Sequence, residues 1–379
     1  MKQLSKSKLI EEKCAKDVIK ERNLMSKLNH PFIVNMDFSF QDSNYLYMIL
    51  DLMTGGDLRY YHLKKKIFSE NECKFLVSCL IMGLEYLHSN KIIHRDIKPE
   101  NIVIDQFGYF YITDFSISIN FENIENEKKI KGSLGYISPE MILGEKYNYA
   151  VDFFALGVIC YEILTGKLPY YSKSLKEIKE LILSNQVQIK NFEKPEGWSD
   201  ESIDFINKLI QRNPEKRLGK NGIEEIKNHP WLKNTDWKKL YLHELESPFI
   251  SSLSNEMVIY KKFSEKNNDT TKATLERSVD IENINDFNHQ FDDYYYFNRF
   301  SMKNLNGKLL VNPHQKYDIK RVVFNDDSCV RGNNRKKLSS NNVINKNVRN
   351  KSGKANARYC LKDGNFSKGK SIFDRNGKK

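Results

Sequence analysis

The chain has 379 residues, 40% hydrophobic and 12% aromatic, which is enough for one mid-sized globular core with appendages. Its net charge of +12 is uneven, because residues 301–379 hold 20 Lys and Arg against 5 Asp and Glu, leaving 41 against 44 before them; the basic balance therefore belongs to a tail and does not make the body a nucleic-acid binder. No apolar run reaches membrane-spanning length, the N-terminus shows no leader, and six scattered cysteines without a CxxC pair fit neither a zinc site nor a disulfide framework, so a cytoplasmic, nuclear or peripherally membrane-associated location is expected. In chain order, the spacing predicts a buried strand over residues 45–50 (YLYMIL). Ser69-Glu70-Asn71-Glu72 is a capping box, and Leu76, Cys79, Leu80, Leu84 and Leu87 follow at helical spacing, predicting a helix of about four turns. Residues 101–104 and 109–113 flank Asp105-Gln106-Phe107-Gly108 as a β-hairpin. Residues 151–164 are apolar on nearly every side and stop at Gly166 before Pro169, the pattern of a central helix buried all round. Early strands followed mostly by helices place the chain in the α+β class. Beyond about residue 250 the texture turns to Asn, Lys, Ser and Asp, broken by an aromatic cluster at 291–297, and residues 301–379 are expected to be disordered.

The chemistry concentrates in His94-Arg95-Asp96-Ile97-Lys98-Pro99-Glu100-Asn101, with Asp114-Phe115-Ser116 starting 18 residues after Asp96. Ser138-Pro139-Glu140, Asp152 and Arg217 in RNPEKRL follow in order. These motifs resemble the catalytic loop, the metal-binding segment and the later landmarks of protein kinases. The resemblance implies a two-lobed fold with a truncated small β lobe and a mainly helical large lobe, and a reaction that moves the γ-phosphate of ATP to Ser or Thr hydroxyls with Mg²⁺. Such transfer is mostly positioning and electrostatic stabilisation. Asp96 would then orient the hydroxyl and take its proton, Asn101 and Asp114 would supply hard oxygens to Mg²⁺, and Lys98 would neutralise the transferred phosphate, which disfavours a tyrosine kinase.

For the nucleotide, the resemblance pairs Lys2 with Glu21, 19 residues on, makes Leu50 the gatekeeper and Asp51 to Met53 the hinge, sets Asp57 against ribose or substrate, and lays Val103 under the adenine. Met25, Met36, His94 and Phe115 would stack between the lobes, with ordinary core packing as the alternative. Residues 30–42 (HPFIVNMDFSFQD), residues 45–61 and the tail resemble the AGC group, most of all its YANK members. Asp57, Glu100 and Glu162 stand where basophilic relatives receive substrate arginines, and Ser133 joins them as a substrate-binding position. The implied partners are protein substrates with basic motifs, although each acid alone also reads as a solvated surface charge. The layout expected is a kinase domain over 1–240 (small lobe 1–52, hinge 51–57, large lobe 58–240), an AGC-like tail over 241–300 whose aromatic cluster near 291–300 either docks onto the small lobe or stays unstructured, and the basic tail over 301–379. The chain is expected to be a monomer, its basic tail open to an anionic surface or an acidic partner.

Several features depart from the pattern. Only Met1 precedes Lys2 and no GxGxxG occurs, so the Gly-rich loop is expected to be missing, either from a truncated reading frame or from a catalytically impaired scaffold. Ser116 replaces a glycine, and its Cβ penalises positive φ there. Lys129 stands where a phosphorylatable Thr is usual, and Arg95 is expected to pair instead with Glu122, Glu125 or Glu127. Residues 364–371 fit the GxxxxGK[ST] template, but no strand feeds them, so they are rejected as a phosphate site.

Overall fold

The computed structural model describes residues 1–65, 67–126, 130–249, 291 and 294–297. Of the chain's two units, Met1 with Gln3–Val311 and Lys2 with Asn312–Lys379, the stretch 312–379 that holds most of the basic tail lies outside the described residues. The chain opens with β1 (Lys2–Ser5), α1 (Lys6–Glu11) and α2 (Ala15–Met25), then β2 (Met36–Gln41) and β3 (Tyr45–Leu50). β2 and β3 pair antiparallel, Gln41 opposite Leu46, around a turn in which the Asp42 carboxylate accepts from the amides of Asn44 (2.8 Å) and Tyr45 (2.7 Å). Alternation along β3 buries Leu46 and Met48, as a strand with one face on a core requires.

Among the described residues, a further strand, β8 (Tyr296–Phe297), joins a sheet of order β1-β3-β2-β8. It pairs antiparallel with β2, Phe38 opposite Phe297 and Ser39 opposite Tyr296. Just before it, Phe291 and Tyr294 are each 1% exposed. Their carbonyls accept from Gln41 Nε2 (2.5 Å) and Ser39 Oγ (2.6 Å). The Lys6 ammonium lies 5.6 Å from the Phe291 ring centre and the Arg22 guanidinium 5.4 Å from that of Tyr294, so cations from α1 and α2 sit over aromatic faces of the returning segment.

Among the described residues, the elements that follow β3 are mainly helices. α3 (Leu58–Lys65) and α4 (Glu70–Ser89) lead into β4 (Ile92–Ile93), β5 (Ile102–Ile104), β6 (Phe110–Ile112) and β7 (Ile119–Asn120). α5 (Pro139–Leu143), α6 (Ala150–Thr165), α7 (Leu175–Ser184), α8 (Asp200–Leu209), α9 (Ile223–Lys227) and α10 (Trp237–Tyr241) follow. The capping box is present: Ser69 N–H donates to Glu72 (2.8 Å) and Glu72 N–H to Ser69 Oγ (3.3 Å). The helix it starts has 20 residues, about five and a half turns rather than four, because nothing breaks the pattern before Asn90. α6 is buried almost throughout, packs on α4 and α8, and ends at Gly166 in the left-handed region (φ 71°). A Cβ on Gly157 would lie 2.6 Å from Leu209 Cβ, so this glycine sets the close approach of α6 and α8.

β5 and β6 form the expected hairpin, Ile102 opposite Ile112, its turn held by Asp105, which accepts from the amides of Phe107 and Tyr109 (each 2.9 Å). Gly108 takes φ 83° and its carbonyl accepts from Ser247 Oγ (2.8 Å), while the Phe249 ring meets Phe110 edge-on. The α+β class expected from the sequence is the one observed. Among the described residues no helix is long and apolar enough to cross a membrane.

Candidate active site

The loop between β4 and β5 is organised by a buried carboxylate. Asp152, in the first turn of α6 and 1% exposed, accepts from the backbone amides of His94 (3.0 Å) and Arg95 (2.9 Å) and meets the His88 ring at 2.9 Å. Burial alone would raise its pKa, but the bond to His88, the nearby His94 and the backbone amide outweigh it and hold the carboxyl below its ordinary value. The His94 ring reaches the Thr113 carbonyl (3.1 Å) and packs edge-on against Phe115, so this loop and the segment after β6 are tied together. Arg95 (φ 68°) and Asp114 (φ 64°) both take left-handed backbone, a conformation that side chains tolerate only where the surroundings impose it.

Asp96 is thereby presented with both carboxylate oxygens engaged. Oδ2 receives the Lys98 ammonium (2.7 Å) and Asn101 Nδ2 (2.9 Å); Oδ1 accepts the amide of Ser133 (3.0 Å). Lys98 Nζ also donates to Ser133 Oγ (2.8 Å). The structure therefore joins Asp96, Lys98, Asn101 and Ser133 directly, although Ser133 lies 37 residues from Asp96. Asn101 also donates Nδ2 to the Asp96 carbonyl (2.9 Å), which leaves its oxygen as the atom able to face a cation. Asp114, whose Oδ1 accepts the Ser116 amide (3.3 Å), carries the other hard oxygen expected for Mg²⁺. Among the described residues no group of three His, Cys, Asp or Glu forms an all-protein metal cage. Ser116 stays outside the positive-φ region, so the strain expected from its Cβ does not arise; the left-handed turn is taken by Asp114 instead.

The residues expected around a nucleotide lie on β1, α2, β3, the connection after β3 and β5. Lys2 opens β1 and Glu21, 3% exposed, lies in α2. Leu50 ends β3, and the Asp51 carboxylate accepts from Asn35 N and Nδ2 (each 2.9 Å), which fixes the connection from β3. Met53 packs on the core. The Gly55 amide donates to the Ile104 carbonyl (2.8 Å) and Asp57 bridges to Val103, so the connection is stitched to β5. Within it the Thr54 hydroxyl is buried without a hydrogen-bond partner. Met25, Met36, His94 and Phe115 are all buried.

The three acids behave differently from one another. Burial raises the Asp57 carboxyl above its ordinary value, and its Oδ1 accepts from Tyr60 N–H (2.8 Å). Glu100 and Glu162, by contrast, both bind Arg59: Nε to Glu100 at 2.8 Å and Nη1 to Glu162 at 2.6 Å, with Nη2 on the Tyr136 hydroxyl. Tyr136 in turn donates to Glu162 (2.5 Å). Arg59 and Tyr136 escape sequence reasoning as site residues; Arg59 stands in the run Gly55-Gly56-Asp57-Leu58-Arg59-Tyr60, but nothing local says where its side chain folds.

Glu122 does not meet Arg95 in any described contact; it pairs with Lys91 at the surface (2.5 Å), because Lys91 lies beside it across β4 and β7. Arg95 donates Nε to the Ile117 carbonyl (2.7 Å) and Nη1 to the Tyr147 hydroxyl (3.0 Å). Lys129, Glu127 and the Glu125 side chain lie outside the described residues. Glu140 and Arg217 form a bidentate buried pair (2.6 and 3.0 Å), the guanidinium also donating to three backbone carbonyls.

A family model described as a protein kinase domain matches residues 1–232. A probable serine/threonine-protein kinase of Dictyostelium discoideum is 36% identical over 253 residues, covering 66% of this chain and 54% of its own. Protein kinase 2 of the same organism is 38% identical over 250 residues (66% and 51%), and ribosomal protein S6 kinase alpha-1 of Homo sapiens, a kinase of AGC type, 39% over 234 residues (60% and 31%). The chain spans about half the length of the two Dictyostelium relatives and less than a third of the human one.

Proposed function

The chain belongs to the protein kinase family, and from that premise we propose that it transfers the γ-phosphoryl group of ATP to Ser or Thr hydroxyls of protein substrates. The observation that carries this reading is the Asp96 cluster, in which a carboxylate, an ammonium and an amide oxygen are held by bonds that leave little rotational freedom. The incoming hydroxyl donates to Asp96; as its oxygen bonds to phosphorus, the bond to the ADP oxygen breaks and the hydroxyl proton passes to the carboxylate. Lys98 places positive charge where the phosphoryl oxygens carry their developing charge. Mg²⁺, held by Asn101 and Asp114, would supply charge neutralisation at the phosphates.

Lys2, Glu21, Leu50, Asp51, Met53 and Val103 are proposed to hold the nucleotide, within a domain bounded as the sequence predicts. Substrates in a basic context belong to the same proposal, as do a monomeric chain in the cytoplasm or nucleus and a basic tail that meets an anionic surface or acidic partner. The test is labelled transfer to a mixed protein substrate followed by identification of the phosphorylated residue. Phosphoserine and phosphothreonine support the reading, whereas phosphotyrosine, or hydrolysis of ATP without transfer, overturns it.

A further inference from the structure

The cluster around Arg59 is a complete guanidinium site with its occupant already inside. Glu162, on α6, is 7% exposed; one of its oxygens takes Arg59 Nη1 and the other the Tyr136 hydroxyl. Glu100, on the short turn that also carries Asn101, is 46% exposed and takes Nε, so the cluster reaches solvent one residue from the proposed metal ligand. Tyr136 lies three residues beyond Ser133, which is bonded to Asp96. The site therefore borders the catalytic groups on two sides. Two carboxylates and a phenol complement the planar fork of one arginine. Burial would lower the guanidinium's pKa, but its bonds to Glu162 and Glu100 and the neighbouring Tyr136 raise it instead, so it stays charged.

We propose that Arg59 is the resident occupant of the guanidinium subsite formed by Glu100, Glu162 and Tyr136, so that the substrate residue crossing this subsite is not basic. This rests on the kinase reading above and refines its substrate class. A second guanidinium would meet like charge and find both Glu162 oxygens and the inner Glu100 oxygen already bonded, which is a specificity device acting by repulsion. Of the three acids only Asp57 remains to read a basic residue. The substrate class is thus a Ser/Thr segment with a single basic determinant, and an arginine-selecting pocket is latent beneath Arg59.

Two measurements test this on the full chain, each with Arg59→Ala and with Arg59→Gln, whose amide still donates to Glu162 and preserves the fold if the alanine variant fails. In the first, millimolar ethylguanidinium raises the melting temperature of the variant but not of the parent chain, and adding Glu162→Gln to the variant removes the effect. An equal response in parent and variant overturns the occupancy. In the second, peptides that differ by Arg or Ala at one position before the target Ser are compared as substrates. The parent gains from Arg at one position only, and the variant gains about tenfold or more at a second position. A parent that already selects Arg at two positions, with the variant losing one, overturns the proposal. If neither chain labels any peptide, the kinase reading and the substrate half of the proposal both fall, while the ethylguanidinium result still decides who occupies the pocket.

Discussion

Replacing Asp152 with Asn changes one atom in the core and removes the anchor of the catalytic loop. The carboxylate receives three donors, the amides of His94 and Arg95 and the His88 ring, at 2.9 to 3.0 Å. An asparagine offers one acceptor oxygen and turns an NH₂ toward a group that also donates. Losing a charge-assisted bond costs about 1.5–3 kcal/mol, and the buried donor left facing NH₂ adds about 1–3 kcal/mol, so about 3–5 kcal/mol in all is expected. For a domain of this size that lowers the melting temperature by roughly 6–20 °C. The pH dependence has a definite sign. A carboxyl whose folded pKa lies below its unfolded value of 3.8 adds stability that is fully present above pH 3.8 and is lost as pH falls through the folded value. Thermal melts of parent and Asp152→Asn should therefore differ by a constant amount near neutrality and converge only in acid below about pH 4. Phosphate transfer should fall by about 10²-fold or more at temperatures where both are folded, since Asp96 follows the displaced amides. A melting difference within about 2 °C at pH 7, or one that persists unchanged into acid, would refute the reasoning.

Glu140→Gln, which leaves the Arg217 guanidinium buried without its anion, should destabilise the parent chain by about 3–5 kcal/mol in urea unfolding. Equal stability of variant and parent would contradict a paired role. Phe291→Ala combined with Tyr294→Ala removes the two buried rings of the returning segment. It should lower the melting temperature by several degrees, about 2–4 °C per kcal/mol lost; unchanged melting would mean that β8 adds nothing to the sheet.

Much of the fold was legible because its signals are local. The capping box at Ser69 and Glu72, the turn at Asp105 to Gly108 and the apolar stretch through 151–164 each specify an element within a few residues of chain. The motif around Asp96 was legible for the same reason, since Asp96, Lys98 and Asn101 sit within one turn-rich loop. What stayed hidden depends on chain separation. The aromatic cluster near 291–300 pointed to docking on the small lobe, but not to β2 as its partner, because the bonds from β8 and its approach to β2 span about 250 residues and no periodicity encodes such pairing. Arg59 meets Glu162 across 103 positions and Tyr136 across 77, so three acids were visible while the cation that folds onto two of them was not. Ser116 differs again: a glycine-free motif predicts strain only if the backbone needs positive φ there, and that need is met at Asp114.

The central claim is that the Asp96 cluster performs phosphoryl transfer, and the most direct measurement is labelled γ-phosphate transfer to a Ser/Thr peptide with Mg²⁺ by the purified 379-residue chain and by Asp96→Asn, each checked by thermal melting. The account predicts transfer by the parent chain and a loss of about 10²–10⁴-fold in a variant that remains folded. Equal rates from the two, or a folded parent chain that transfers nothing, would contradict it.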